Sequence, residues 1–156
     1  MVISRPRYVN RLLHEKDKKI IKIITGLRRA GKSTLLFELY YNELLQMGVP
    51  ADHIIRIPLD SIRYRELREP MALYRHISEA IHDGEMYYIF LDEIQLVKGF
   101  EDVVNGLARD FHCDIYLTGS NSQFLSSDVN TRFRGRGIEI KVFPLLFSEY
   151  YAFYGG

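Results

Sequence analysis

Apolar positions along the chain form short runs that alternate with segments of helical period. The runs are rich in isoleucine and aromatic residues, and they predict five strands: Ile20–Thr25, Ile54–Leu59, Met86–Leu91, Ile115–Thr118 and Ile138–Phe143. Isoleucine and aromatic residues occur on both parities of these runs, as expected for strands that are covered on both faces. Strands that alternate with helices in this way predict the α/β class, with a mainly parallel five-stranded sheet flanked by helices.

Longer segments between these runs have the period of amphipathic helices. They are Ser33–Met47, which ends before Gly48, Pro70–His82, which ends before Gly84, and Phe100–Phe111. In the last segment the apolar side chains recur at spacings of 3, 1, 3 and 4, which places them on one face of a helix. A short helix from Tyr8 to Leu13 is predicted to lead into the first strand.

Composition narrows the class of protein. The 156 residues suggest one domain, and the net charge of +1 does not indicate a nucleic-acid binder, although a local basic patch stays open. The single cysteine, Cys113, excludes an internal disulfide and fits a reducing compartment. No segment resembles a signal peptide or a membrane span, so we expect a cytoplasmic protein without a membrane partner. The five histidines show no metal-ligand spacing with Cys113, which argues against zinc.

A phosphate-binding loop is predicted directly after the first strand. The spacing G-x-x-x-x-G-K-[ST] provides backbone N–H groups for phosphates, a lysine for the β- and γ-phosphates, and a hydroxyl for Mg²⁺. It predicts ATP or ADP with Mg²⁺ as ligands, bound by Gly26, Leu27, Arg28, Arg29, Ala30, Gly31, Lys32, Ser33 and Thr34. Ser33 is the predicted magnesium ligand in the loop. Arg28 and Arg29 either approach the phosphates or solvate the outer surface of the loop.

Two carboxylates follow the third apolar run. Asp92 is predicted to bind Mg²⁺ together with Ser33, and Glu93 to orient and deprotonate the attacking water. The alternative is an acidic turn without chemistry. A glutamate directly after the aspartate also favours the ATPases with an additional strand. In that class the fourth strand lies between the first and third, in the order 5-1-4-3-2.

Polar and basic residues later in the chain are further candidates for the site. Ser120 and Asn121 follow the fourth strand, where they either hydrogen-bond the attacking water or cap the next helix. Arg134 and Arg136 precede the fifth strand. One of them is a candidate arginine finger, which stabilises charge on the γ-phosphate in the transition state. The same arginines fit a solvated turn or a nucleic-acid contact equally well.

The segments "GLRRAGKSTLL", "LDEIQLVKGFEDVV", "YLTGSNSQFL" and "RFRGRGIEIKVFPLLFSEYY", in this order, resemble the AAA+ superfamily of P-loop ATPases. They are most similar to a bacterial and archaeal group in which an N-terminal ATPase domain precedes a C-terminal domain. We divide the chain into a helical lead-in over residues 1–18 and an ATPase domain over residues 19–156. The resemblance implies that this domain is truncated before the C-terminal domain. It also implies that the polar residues after strand four act as a sensor and that Arg136 is the finger.

Two functions remain open at this point. The first is a Mg²⁺-dependent ATPase that couples hydrolysis to a conformational change, and Glu93 favours it because a pure switch needs no base. The second is a nucleotide-gated binding switch with negligible turnover. A small-molecule kinase lacks an acceptor-site motif and an arginine-rich lid. ATP, a second copy of the chain, a C-terminal domain and nucleic acid are the candidate partners.

Overall fold

A five-stranded parallel sheet forms the centre of the fold in the computed structural model, which describes residues 5–27, 30–120, 133 and 135–144. In chain order the strands are β1 (Ile21–Thr25), β2 (Ile54–Pro58), β3 (Tyr87–Asp92), β4 (Cys113–Gly119) and β5 (Gly137–Lys141). Their spatial order is β2-β3-β4-β1-β5, and all four neighbouring pairs are parallel. This confirms the predicted fold class and strand order.

Helices connect the strands and cover both faces of the sheet. They are α1 (Pro6–Glu15), α2 (residues 32–46), α3 (Pro70–Ala80) and α4 (Phe100–Asp110). Within α2 the segment Leu35–Tyr40 is π-helical. Short 3₁₀ turns lie at Ala51–His53, Ile62–Arg68 and Ile94–Leu96. No helix in the described part of the chain is long and apolar enough to cross a membrane.

Some element boundaries differ from those the apolar pattern predicts. Strand β4 begins at Cys113, two residues before the predicted start, because Cys113 and Asp114 pair with Tyr87 and Tyr88 of β3. Helix α3 ends at Ala80 because Ile81 is already extended, with φ −87° and ψ 110°. The apolar pattern missed both boundaries because main-chain pairing and main-chain dihedrals, rather than side-chain polarity, determine them.

Two hydrophobic layers hold the sheet between the helices. One layer joins Ile23 and Ile89 to Leu73 of α3 and Leu107 of α4, and the other joins Ile24 and Phe90 to Leu12 of α1 and to Leu36, Tyr40 and Leu44 of α2. Consecutive strand residues therefore enter opposite layers. Every residue of β1 and β3 is buried, as predicted for strands covered on both faces.

Candidate nucleotide site

The loop that follows β1 depends on glycine at two positions. Gly26 has φ +149°, and a Cβ on it would stand 2.3 Å from the carbonyl oxygen of Val142. Gly31 has φ +89° and is the N-cap residue of α2. Both conformations are easily reached by glycine alone, so the chain can turn sharply between strand and helix. The N–H groups at the start of α2 point out of the helix and favour an anion there.

Lys32, the first residue of α2, bends back over the loop. Its Nζ donates to the carbonyl oxygens of Gly26 at 2.9 Å and Leu27 at 2.8 Å. Burial lowers the pKa of the Lys32 amine, while the carboxylates of Glu93 and Asp92 act in the opposite direction. A cation held inside the loop by neutral carbonyls is in place to bind an incoming anion.

Asp92, at the end of β3, lies between two hydroxyl donors. Ser33 Oγ donates to Asp92 Oδ2 at 2.7 Å, and Thr118 Oγ1 donates to Asp92 Oδ1. Burial raises the pKa of the Asp92 carboxyl, the hydrogen bonds from Thr118 and Ser33 oppose that effect, and the charge of Asp60 adds to it. Hydroxyl and carboxylate oxygens are the ligands that Mg²⁺ prefers, and nearby negative charge favours a cation. The residues present therefore fit a magnesium ion held by Ser33 and Asp92.

Glu93 has a left-handed backbone, with φ 55° and ψ 52°. Its N–H donates to Thr118 Oγ1 at 2.9 Å, so one threonine contacts both acidic residues. Its carboxylate oxygen Oε2 accepts hydrogen bonds from Ser120 Oγ at 2.9 Å and from Gln95 Nε2. Positive φ at a residue other than glycine is strained and is concentrated at functional sites. The fold thus holds this carboxylate in one orientation beside Asp92.

Arg5 connects the N-terminal segment to the loop. It is 4% exposed, and its guanidinium donates to Ala30 O and to Phe143 O, each at 2.6 Å. It also lies over the ring of Tyr8, 4.5 Å from the ring centroid. The segment before β1 is therefore part of the site's support, in addition to its predicted role as a lead-in.

Most of the predicted site residues that the structure describes lie at the carboxyl ends of β1, β3 and β4. Gly26, Leu27, Ala30, Gly31, Lys32, Ser33 and Thr34 follow β1, Asp92 ends β3, and Glu93 and Ser120 directly follow β3 and β4. Arg28, Arg29, Asn121 and Arg134 lie outside the described residues.

Arg136 lies at the amino ends of β1 and β5, at the end of the sheet opposite the loop. Its carbonyl accepts from the N–H of Ile21, the first residue of β1, and the next residue, Gly137, pairs with Ile21. Four strand residues, about 13 Å, separate that position from the loop after Thr25. An arginine finger at Arg136 would therefore need to act on the site of a second copy.

Three supporting residues are missing from the sequence prediction: Arg5, Gln95 and Thr118. Thr118 could have been found, because it is the last polar residue of a buried run that ends beside the acidic pair. Arg5 belongs to no motif, and its contacts lie 25 and 138 residues away along the chain. Neither spacing nor polarity signals such a contact.

The parallel sheet, its strand order and the glycine-lysine loop define a P-loop ATPase domain of the AAA+ class. The chain belongs to the AAA domain family, whose profile matches residues 18–151. It is 38% identical over 150 residues to an uncharacterized protein of Haemophilus influenzae, covering 96% of this chain and 37% of that protein. The chain thus spans little more than a third of that relative.

Solved structures with low sequence identity share the fold. A DNA polymerase III gamma subunit-related protein of Thermotoga maritima has a TM-score of 0.60 at 9% identity, covering 93% of this chain and 47% of the other. The Aeropyrum pernix ORC1 protein, solved in complex with DNA, has a TM-score of 0.60 at 15% identity, covering 96% and 47%. Both similarities confirm the AAA+ architecture.

Proposed function

We propose that this domain binds ATP with Mg²⁺ and hydrolyses it, and that the state of the nucleotide changes the conformation of the loop. The observation that supports this most directly is the 2.7 Å contact between Ser33 Oγ and Asp92 Oδ2. It brings together a loop hydroxyl and a strand-end carboxylate from positions 59 residues apart. That pair is the oxygen-ligand set that a nucleotide-bound magnesium ion requires.

Each group has a distinct role in this proposal. The N–H groups of the loop and the Lys32 amine bind the phosphates, and Ser33 and Asp92 hold the ion. When bound, Mg²⁺ neutralises charge that develops on the phosphate oxygens. Thr118 keeps Asp92 and Glu93 in register by contacting both. Asn121, Arg28, Arg29 and Arg134 keep the candidate roles that the sequence gives them.

Glu93 would act as the general base. It takes a proton from water as the water oxygen bonds to the γ-phosphorus, and the bond from that phosphorus to the β,γ-bridging oxygen breaks to release ADP and phosphate. Its carboxylate already accepts hydrogen bonds from Ser120 and Gln95 through one oxygen, Oε2. This arrangement fixes the side chain and leaves a carboxylate oxygen to face the water.

Coupling to conformation follows from the partners of Lys32. In the structure its amine binds the carbonyls of Gly26 and Leu27, and phosphates would compete for the same amine. Leu27 is 71% exposed, so the tip of the loop is open to a partner. Binding of a nucleotide would therefore change the loop's internal hydrogen bonds beside an apolar side chain.

A nucleotide-gated switch with little turnover is the second candidate. The position of Arg136 favours it, because this arginine lies at the opposite end of the sheet from the loop of the same chain. If a second copy supplies the finger, an isolated chain lacks a group worth about 10³–10⁵ in rate.

We place the protein in the cytoplasm. Nucleic acid is a candidate target, because the structurally similar ORC1 protein was solved with DNA.

The test compares two variants by calorimetry and by phosphate release at several protein concentrations. Glu93→Gln should bind Mg²⁺-ATP as the wild type does, with turnover lower by roughly 10²–10⁴, the range for a positioned base. Lys32→Ala should lower affinity about 10-fold or more, because one tenfold step corresponds to only about 1.4 kcal/mol. Turnover in Glu93→Gln equal to that of an active wild type would contradict the base. Unchanged ATP affinity in Lys32→Ala would contradict the phosphate loop.

A further inference from the structure

Two Asp–His pairs meet at the amino ends of β2 and β3, at the end of the sheet opposite the nucleotide site. Asp52 and His53 lie in the 3₁₀ turn that leads into β2, and His82 and Asp83 lie in the turn between α3 and β3. Because β2 and β3 are parallel neighbours, the two turns that precede them lie at the same end of the sheet. The length of β3, six residues or about 20 Å, separates them from Asp92.

The donor atoms of this cluster are close together. One ligand atom each from Asp52, His53 and His82 lies within 4.8 Å of the others. Asp52 Oδ1 is 2.8 Å from His53 Nδ1, and Asp52 Oδ2 is 3.2 Å from His82 Nε2. Ligand atoms on a tetrahedral zinc ion stand about 3.3 Å apart, given bonds of about 2.0–2.1 Å. Small side-chain rotations would therefore close these three residues around one ion.

Asp83 occupies the position of an outer carboxylate. It lies 3.0 Å from His53 Nε2, on the side of the ring away from Asp52. A histidine that binds a metal usually donates its other ring N–H to a carboxylate, which fixes the tautomer and orients the ring. With His53 Nδ1 on the metal, the Nε2–H group donates a hydrogen bond to Asp83 and completes this arrangement.

Tyr87 holds both rings in place. Its ring stacks on His53 with centroids 4.4 Å apart, and it meets the ring of His82 edge-on at 5.7 Å. Its hydroxyl accepts from the N–H of His82 at 3.1 Å. Tyr87 is fully buried and His53 is 9% exposed, whereas His82 and Asp52 are exposed. The rigid part of the cluster thus faces the core, and the remaining coordination position faces solvent.

We propose that Asp52, His53 and His82 bind a zinc ion, with Asp83 as the positioning carboxylate of His53. Two imidazole nitrogens and one carboxylate suit Zn²⁺ rather than Mg²⁺, which prefers oxygen ligands. Strand β2 is the edge strand of the sheet, so the ion would tie this edge to the turn before β3. Histidine spacing along the chain hides the cluster, because the two pairs precede different strands.

The experiment is a titration of the tag-free 156-residue chain with Zn²⁺ alone, in competition with a coloured chelator and without nucleotide. We expect one zinc ion per chain. Asp83→Asn should weaken binding roughly 10–100-fold, as removal of an outer carboxylate does, and His82→Asn should weaken it more. Binding of Zn²⁺ at about 100 times the dissociation constant should raise the melting temperature by roughly 5–10 °C.

Two controls separate this site from other binding. His76→Asn removes an exposed histidine on α3 outside the cluster and should bind zinc as the wild type does. Asp92→Asn should also retain zinc, which excludes the candidate magnesium site. The metal-free His82→Asn protein should melt with the wild type, because that side chain is exposed. The proposal is wrong if the wild type shows no saturable zinc binding, or if His82→Asn and His76→Asn bind equally. The cluster is then an Asp–His hydrogen-bond network only.

Discussion

The guanidinium of Arg5 donates to the carbonyl oxygen of Ala30, inside the phosphate loop, at 2.6 Å. A second nitrogen of the same group donates to Phe143 O after β5, also at 2.6 Å. One buried side chain therefore ties the start of the chain to the loop and to the end of the sheet. A planar guanidinium suits this task, because it offers several donors in a fixed geometry.

Replacing Arg5 should weaken nucleotide binding without removing a nucleotide contact. Arg5→Ala removes the donor to the buried carbonyl of Ala30 and to the part-buried carbonyl of Phe143. An unsatisfied buried group costs about 1–3 kcal/mol, and the Ala30 carbonyl is such a group. We expect a melting temperature lower by roughly 2–12 °C and weaker ATP binding in calorimetry. Arg7→Ala is the matched control, since Arg7 is an exposed neighbour whose guanidinium donates to the hydroxyl of Tyr8 rather than to the phosphate loop. Equal effects of the two substitutions would contradict a role specific to Arg5.

Local pattern predicts the sheet well, because each strand lies in a short segment of mostly apolar residues and each helix has a continuous apolar face. The strand order also follows from residues, since a glutamate directly after Asp92 favours the class with an inserted strand. The loop and the acidic pair are local motifs, so sequence alone locates them. Arg5 and the Asp52–His53–His82–Asp83 cluster depend instead on which chain segments the fold brings together. Contacts of that kind carry no periodic or spacing signal.

Thr118 should matter through its hydroxyl alone. Thr118→Val keeps the shape but removes the donor to Asp92 and leaves the N–H of Glu93 without this acceptor. An unsatisfied buried group costs about 1–3 kcal/mol, so the melting temperature should fall by roughly 2–12 °C. The concentration of Mg²⁺ needed for half-maximal ATP binding should rise as well. Thr118→Ser retains the hydroxyl and should resemble the wild type in both measurements. If serine and valine behave alike, the hydroxyl has no such role.

Cys113 should be unreactive in the native state. Burial raises the pKa of its thiol to about 12, and the charge of Asp114 adds to the shift. The reactive thiolate is therefore scarce at pH 8, and a disulfide reagent should label the protein slowly until urea unfolds it. In the unfolded chain the thiol ionises near pH 8.5. As the pH rises from there toward 12, ionisation stabilises the unfolded chain only, so the free energy of unfolding falls. Urea midpoints should fall less between pH 8 and 10 in Cys113→Ala than in the wild type. Rapid native labelling at pH 8 would refute the assignment.

Gln95 is the positioning residue whose removal best tests the proposed base. Its Nε2 donates to Glu93 Oε2, the oxygen that also accepts from Ser120, and its Oε1 is buried without a partner among the described residues. A hydrogen bond to a charged group contributes about 1.5–3 kcal/mol, which corresponds to roughly 10–150-fold in rate. Gln95→Leu should therefore lower kcat by about that factor. Its KM for ATP should stay near the wild-type value, because among the described residues the Gln95 amide donates to Glu93 and not to the loop or Asp92.

Ser120→Ala removes the other donor to the same oxygen, so the two substitutions form a double-mutant cycle. Each donor alone restrains the Glu93 carboxylate less than the two together, and only the double variant leaves it without both. The loss of kcat in the double variant should therefore exceed the product of the two single losses. Nucleotide affinity, measured by calorimetry, should be unchanged in all three proteins. If Gln95→Leu instead raises KM with kcat intact, its amide serves nucleotide binding. If the loss of kcat in the double variant equals the product of the two single losses, Gln95 and Ser120 do not act by jointly orienting the Glu93 carboxylate.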